Sequence, residues 1–271
     1  MKTIKNFTPV VLTIAGADPY GGAGIQVDCK TIHALGAYAL STITAITAQN
    51  SKGVVAVEAV SPEMLKTQLD TLLKDIKVDA VKIGMLSNIS LVEVVVDIIE
   101  KYKLPNVVLD PVFISSSGKM LLEAGAIEIM VKKLFPLCKL ITPNLDETNM
   151  LLGTNYEGKI SESVVMGKGL FKLGAGTVLL KGGHGAEYEA VDCLVEPSGV
   201  SCFSSPRVET THTHGTGCLL SSAIATNLAH GYTLKKSVEI SKKFLHNKLE
   251  QSSSLKFNYC NSEEIRREAI F

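Results

Sequence analysis

Between Pro9 and Lys181 short runs rich in β-branched residues alternate with stretches of helical spacing, and this alternation most restricts what the chain can fold into. The strand-like runs are PVVLTIA (9–15), YALSTITAITAQ (38–49), VVAVEAV (54–60), DAVKIGM (79–85), NVVLD (106–110), KLIT (139–142) and TVLLK (177–181). Helical spacing fills the intervals 25–35, 62–75, 88–103, about 120–134, from Leu145 onward, and 161–173. Ser61-Pro62 supplies an N-cap residue followed by a proline suited to the first helical position. Strands and helices alternating at these lengths predict an α/β fold, a parallel sheet covered on both faces. The pattern changes at 187–209, where the alternation around Pro197-Ser198-Gly199 predicts a small antiparallel edge hairpin. Helices are then expected from near Gly217 to Gly231 and over 234–250, with a charged final helix over 262–271. No linker, repeat or low-complexity tract divides the chain, so one domain over 1–271 is expected.

Composition narrows the class of function. Lysine plus arginine equals aspartate plus glutamate, 27 each, and no basic cluster stands out. Nucleic acid and anionic membrane are therefore not expected partners. No apolar run reaches membrane-spanning length, and MKTIKNF is too short and polar for a signal peptide to be expected from it. The six cysteines are scattered without a C-x-x-C pair, which speaks against a disulfide framework or a zinc site and for a reducing cytoplasm.

Chemistry is expected where parallel strands end, because their C-terminal residues share one rim of the sheet. Those ends carry Asp18, Gln49, Met85, Asp110, the Asn144-Leu145-Asp146-Glu147 stretch and Lys181. Facing them is His214-Gly215-Thr216-Gly217-Cys218, a glycine-bearing segment running into the helix LLSSAIATNLAHG. Its first N–H groups have no intrahelical partner, and glycine lets an anion come close to the backbone. Cys218 falls in that first turn, where the helix field favours a thiolate. Carboxylates suited to Mg²⁺, a lysine and a helix N-terminus together describe phosphoryl transfer. The glycines at 16, 21, 22 and 24 miss the G-x-G-x-x-G spacing and no G-x-x-x-x-G-K-[ST] occurs, so the site lacks both standard phosphate fingerprints. His212 and His214 have no third metal ligand nearby, and His214 is expected at the lip of the anion site.

The blocks TIAGADPYGGAGIQVDCKTIHALGAY, TAITAQNS, KIGM, DPV, ITPNLDE, KGGHG and HGTGC resemble, in order, the hydroxymethylpyrimidine and phosphomethylpyrimidine kinases of thiamine biosynthesis. That family is ribokinase-like, which implies a central, mainly parallel sheet between helical layers. It also implies ATP as co-substrate, Mg²⁺, and two successive phosphorylations of an aminopyrimidine alcohol. By position, the resemblance gives Asn144 and Glu147 to nucleotide and Mg²⁺, and Asp110 to the phosphates and the metal. Lys181, Thr213, His214, Gly215, Thr216 and Gly217 fall to nucleotide phosphate and anion hole. Gly16, Ala17, Asp18, Gln49, Met85 and Val112 fall to the pyrimidine pocket. Cys218 stands where most of the superfamily has an aspartate base and where this family has cysteine. Ala17 and Tyr20 replace serines common in the family's first loop, and Ile114-Ser115-Ser116-Ser117 departs from its usual wording.

A glutamine amide matches the donor–acceptor edge of an aminopyrimidine, while Met85 and Val112 suit the faces of a heteroaromatic ring. Pyridoxal lacks the amine that Gln49 would read, which places a pyridoxal kinase second. A non-catalytic pyrimidine-binding protein would not need Asp110, Glu147, Lys181 and Cys218 together. A cysteine hydrolase has neither an assignable base nor a nucleophile elbow here. The edge hairpin leaves room for a homodimer.

Overall fold

The computed structural model describes residues 8–114, 118, 120–183, 188–210 and 213–252. The expected helix over 262–271, His212 and the Ser115–Ser117 stretch lie outside the described residues. The strands are β1 (Val10–Ala17), β2 (Tyr38–Asn50), β3 (Gly53–Ala59), β4 (Ala80–Ile83), β5 (Val107–Leu109), β6 (Leu140–Ile141), β7 (Val178–Leu180), β8 (Ala190–Glu196) and β9 (Gly199–Ser205). They form one sheet in the order β3-β2-β1-β4-β5-β6-β7-β8-β9. From β2 to β7 every neighbouring pair is parallel, and the antiparallel strands stand at the edges: β3 on one side, β8 and β9 on the other. The sheet thus has the expected ribokinase-like form, with an antiparallel strand at the β2 edge besides the expected hairpin.

The helices are α1 (Gly24–Ala34), α2 (Pro62–Asp75), α3 (Ile89–Tyr102), α4 (Ala124–Ile129), α5 (Leu145–Leu152), α6 (Ser163–Lys172), α7 (Thr216–Ala229) and α8 (Leu234–Glu250). Alternation along the central strands sorts them into two layers. Leu12, Ile14, Val81 and Ile83 pack with Leu65 and Leu69 of α2, Val95 of α3 and Leu170 of α6. Val11, Ala80 and Val108 point the other way, onto Ile32 of α1, Leu220 and Ile224 of α7 and Val238 of α8. α7 is buried along most of its length, which accounts for its run of small residues at close helix–sheet and helix–helix contacts.

Helix boundaries follow their capping chemistry. The Ser61 hydroxyl accepts from the Met64 N–H ahead of Pro62, as expected of an N-cap. Asn144 and Glu147 form a complete capping box at the start of α5. One expectation is corrected: Cys193 and Cys202 form a disulfide. The two-residue turn Pro197-Ser198 sets Glu196 opposite Gly199, and that register brings Cys193 opposite Cys202 with 4.1 Å between their Cα atoms. Distance along the sequence was the wrong measure, since a tight hairpin makes such residues neighbours.

Candidate active site

A cavity of about 480 Å³ opens along the C-terminal rim of the parallel strands. All the residues assigned above to pyrimidine, nucleotide and metal line it. One wall belongs to β1, β2 and the segment after β4. β2 outruns β1 and returns as β3, with a register shift between Ala48 and Gln49 that places Gln49 near the hairpin tip. Met85 is buried and lies tightly on Gly16, where an added Cβ would come within 3.2 Å of its sulfur. Thr44 and Thr47 donate to the Met85 and Ala17 carbonyls, fixing the backbone of that wall.

Asp18 organises the loop between β1 and α1. Its carboxylate accepts from the N–H groups of Tyr20, Gly22 and Ala23 at 2.8, 3.0 and 2.8 Å, and His214 Nε2 stands 3.5 Å away. Burial pushes its pKa up, but hydrogen bonds from His214, Gln49 and the Tyr20 N–H outweigh that and hold it at about 2. Asp18 therefore lines the pocket while its oxygens are engaged in shaping it.

The opposite wall is built for anions. The Asp110 carboxylate accepts from Lys181 Nζ at 2.7 Å and from the Thr142 hydroxyl at 3.2 Å. The start of α7 rests directly on this pair: a Cβ on Gly217 would lie 3.1 Å from Asp110 Oδ2 and 3.2 Å from Lys181 Nζ. Gly215, the N-cap, has φ +85°, and its Cα faces the Gly22 carbonyl so closely that an added Cβ would be 1.8 Å from that oxygen. Thr216 turns back onto the Thr213 carbonyl through both its N–H and its hydroxyl. Gly217 and Cys218 then bring the orphan N–H groups of the first turn to the cavity.

Asn144 and Glu147 sit beside Lys181 at the start of α5. One Glu147 oxygen accepts from the Asn144 N–H at 2.8 Å, and burial pushes the carboxyl up to about 7, against the pull of Lys181. A carboxyl this reluctant to ionise is short of positive charge, which fits a site that gains a divalent cation. No cluster of three or more His, Cys, Asp or Glu suited to a metal occurs among the described residues. Asp110 and Glu147 would thus supply two carboxylates and leave the remaining positions to phosphate and water, the usual arrangement for Mg²⁺.

Cys218 departs from expectation. Its thiol is pushed up to about 11, because burial outweighs Lys82, with Asp28 and Asp110 adding to the rise and a hydrogen bond from the Gly24 backbone opposing it. The helix field does not leave a resting thiolate here. Lys82, in the middle of β4, also lines the cavity and was not singled out in the sequence. The available signal was a lysine inside an otherwise apolar strand of a parallel sheet, where a charge requires a partner.

A doubly covered parallel sheet with an acid–lysine pair under a glycine-led helix N-terminus, and no P-loop, defines a ribokinase-like small-molecule kinase. Residues 18–262 match the phosphomethylpyrimidine kinase family. The hydroxymethylpyrimidine/phosphomethylpyrimidine kinase of Escherichia coli K12 is 41% identical over 248 residues, 92% of this chain and 93% of that protein. The phosphomethylpyrimidine kinase of Clostridium difficile 630 superposes with a TM-score of 0.78 at 41% identity, covering 89% of this chain and 99% of that one. An ADP complex of Bacillus subtilis pyridoxal kinase superposes with a TM-score of 0.84 at 31% identity, over 92% of this chain and 95% of that one. The chain belongs to the phosphomethylpyrimidine kinase family, and it is a phosphotransferase. No described helix is long and apolar enough to cross a membrane.

Proposed function

We propose that the chain transfers the γ-phosphoryl group of ATP to the hydroxymethyl oxygen of 4-amino-5-hydroxymethyl-2-methylpyrimidine, and then a second one to the resulting monophosphate. The observation that carries this reading is the Asp110–Lys181 pair pressed against Gly217, across one cavity from Gln49, Met85 and Val112. One side is suited to transferring phosphate and the other to a flat, polar-edged ring. Residues 1–271 serve this one catalytic unit, with small molecules and not nucleic acid or membrane as its ligands; the cytoplasm is kept as its compartment, although the Cys193–Cys202 disulfide removes the support that the cysteine pattern gave it. A homodimer through the sheet edge is compatible with it.

Gln49, beside Asp18 at the tip of β2, reads the aminopyrimidine edge. Gly16, Ala17, Met85 and Val112 hold the ring, and Asn144, Thr213, His214 and Thr216 border the nucleotide. Lys181 and the N–H groups of Gly215, Gly217 and Cys218 balance charge on the group in flight. Mg²⁺ held by Asp110 and Glu147 would add to that balance by drawing on the phosphate oxygens. Attack by the alcohol releases a proton, and Cys218 accepts it only as a thiolate, a minor form of a thiol with a pKa near 11. The monophosphate attacks through an oxygen that is already anionic and needs no base.

A second reading, pyridoxal phosphorylation, is favoured by one observation. A Staphylococcus aureus pyridoxal kinase in complex with AMP-PCP and pyridoxal superposes with a TM-score of 0.85 at 27% identity, over 93% of this chain and 94% of that one. Measuring ADP release with the pyrimidine alcohol, its monophosphate and pyridoxal side by side decides between them. The pyrimidines are expected to lead pyridoxal by about tenfold or more in kcat/KM. A preference for pyridoxal overturns the assignment.

A further inference from the structure

Strand β4 carries an ammonium group where its neighbours are apolar. Lys82 and Asp28 are both fully buried, and Lys82 Nζ donates to both oxygens of the Asp28 carboxylate at 2.8 Å. Oδ1 also accepts from the Ser222 hydroxyl at 2.8 Å, and Oδ2 from the Thr13 hydroxyl at 2.6 Å. β1, α1, β4 and α7 thus converge on one carboxylate. Stability alone is a poor reason for such a pair, since apolar side chains of the same volume usually serve a core as well.

Its place in the fold suggests another reason. Lys82 lines the cavity with Cys218 and Asp110, and its Nζ would lie 2.8 Å from a Cβ on Gly84. Ser222 stands one helical turn beyond Cys218 on α7. Lys82 Nζ is bonded to both Asp28 oxygens and lines the same cavity as Cys218, where the lysine charge favours the thiolate and the aspartate charge opposes it. Burial opposes the ammonium, but Asp28, with smaller contributions from Cys218 and Asp110, keeps the Lys82 pKa above its ordinary value. The charged groups acting on Cys218 are Lys82 from β4, Asp28 from α1, Asp110 after β5 and Lys181 after β7, together with the Gly24 N–H.

We propose that Lys82, Asp28 and Ser222 form a positioning unit for Cys218: Asp28 and Ser222 fix the first turns of α7 over the cavity floor, and Lys82 is the counter-charge beneath the sulfur. The unit serves the alcohol step, where a proton must leave, more than the monophosphate step, and in this it rests on the function proposed above.

The test uses Lys82→Met, Asp28→Asn, Ser222→Ala and the neutral pair Lys82→Met/Asp28→Asn, each checked for folding by circular dichroism and thermal melting. The double variant covers the case in which Lys82→Met alone, with its orphaned carboxylate, does not fold. Alkylation of Cys218 by iodoacetamide at pH 8, followed on its own peptide by mass spectrometry, follows the thiolate fraction. It is expected to slow about tenfold in Lys82→Met and to quicken in Asp28→Asn, following the opposite signs of the two charges, and to slow less in the double variant, where the two removed charges oppose each other. For the double variant and Ser222→Ala, kcat for the alcohol is expected to fall about tenfold or more with KM within about twofold, while kcat for the monophosphate falls less. Equal losses on both substrates, wild-type kinetics with only a lower melting temperature, or alkylation moving the same way in both charge variants each overturn the proposal. Failure of the wild-type chain to phosphorylate the pyrimidine alcohol sinks the functional reading instead, and the alkylation signs still judge the positioning unit.

Discussion

Gly215→Ala, set against Gly231→Ala, isolates what the α7 N-terminus does. The two glycines have nearly the same backbone, φ +85° and +87°, so alanine strains both alike. That strain is ~1–2 kcal/mol before a gain of ~0.4–1 kcal/mol from a less flexible unfolded chain. The surroundings differ. Nothing lies within 4 Å of a Cβ at Gly231, whereas a Cβ at Gly215 meets the Gly22 oxygen at 1.8 Å and the Ala23 Cα at 3.3 Å. A carbon and a carbonyl oxygen settle at about 3.3 Å, so the two backbones must part by about 1.5 Å. Gly22 and Ala23 are held by Asp18, and bonds of that kind to a charged group contribute ~1.5–3 kcal/mol each. Gly231→Ala is therefore expected to lower Tm by about 2–4 °C with kcat intact. Gly215→Ala should lower Tm by more and kcat by about 10²-fold or more, since a misplacement near 1 Å already has that effect. Calorimetry and ADP release at saturating substrates measure both. If Gly215→Ala matches Gly231→Ala in Tm and in kcat, the close approach of α7 to the glycine loop is not what holds the anion site.

Further outcomes are expected. Glu147→Gln keeps the capping geometry but removes the charge, so the Mg²⁺ concentration for half-maximal activity should rise while pyrimidine affinity by calorimetry stays the same. The folded pKa of Glu147, about 7, lies above its ordinary 4.5, so its contribution to stability is complete below about pH 4.5 and lost as pH rises through 7. Melts without Mg²⁺ should accordingly show Glu147→Gln gaining on the wild type between pH 5 and 8. Asp18 has the opposite sign: its folded pKa near 2 makes its contribution of ~2 kcal/mol present above pH 4 and lost toward pH 2, where Asp18→Asn and wild type should converge. Gln49→Ala should reduce kcat/KM for the pyrimidine by ~1–3 kcal/mol and for pyridoxal much less; equal losses refute its role as reader of the ring edge.

The layered sheet was legible because strand and helix periods differ and recur, and because Ser61-Pro62, Asn144…Glu147 and Gly231 mark helix ends by local chemistry alone. The site was legible to the extent that its residues sit at strand ends, which topology carries to one rim. What escaped depends on partners distant in sequence. Lys82 and Asp28 are 54 residues apart, and Asp28 and Ser222 are 194 apart. Only the stacking of β4 and α1 beneath α7 joins them. The expected hairpin around Pro197-Ser198-Gly199 put Cys193 and Cys202 on facing strands, but only the observed two-residue turn at Pro197-Ser198 sets the register that pairs them. The ionisation of Cys218 was misjudged because helix position was weighed without burial, and burial is the larger influence.

That error bears on the chemistry. A base must be ionised to work, and at pH 7 a thiol near pKa 11 is ionised in about one molecule in 10⁴. Each thiolate is a strong base, and phosphoryl transfer through a loose transition state asks little of the nucleophile until late in the reaction. The charge of the cavity is concentrated in Lys181 on Asp110, Lys82 on Asp28, and the α7 N–H groups, on the side proposed for phosphate. Such a site does most of its work by stabilising charge and only a small part by removing a proton. It can accept an alcohol and a phosphate monoester in turn for that reason, because in both reactions the charge to be balanced gathers on the phosphoryl group in flight. They differ in the proton, and that difference should appear in pH profiles: kcat for the alcohol climbing from pH 7 to 9, kcat for the monophosphate flat. In Cys218→Ala the climb should vanish while monophosphate turnover persists. A flat alcohol profile in the wild type would leave Cys218 as a packing residue and assign the whole of the rate to charge.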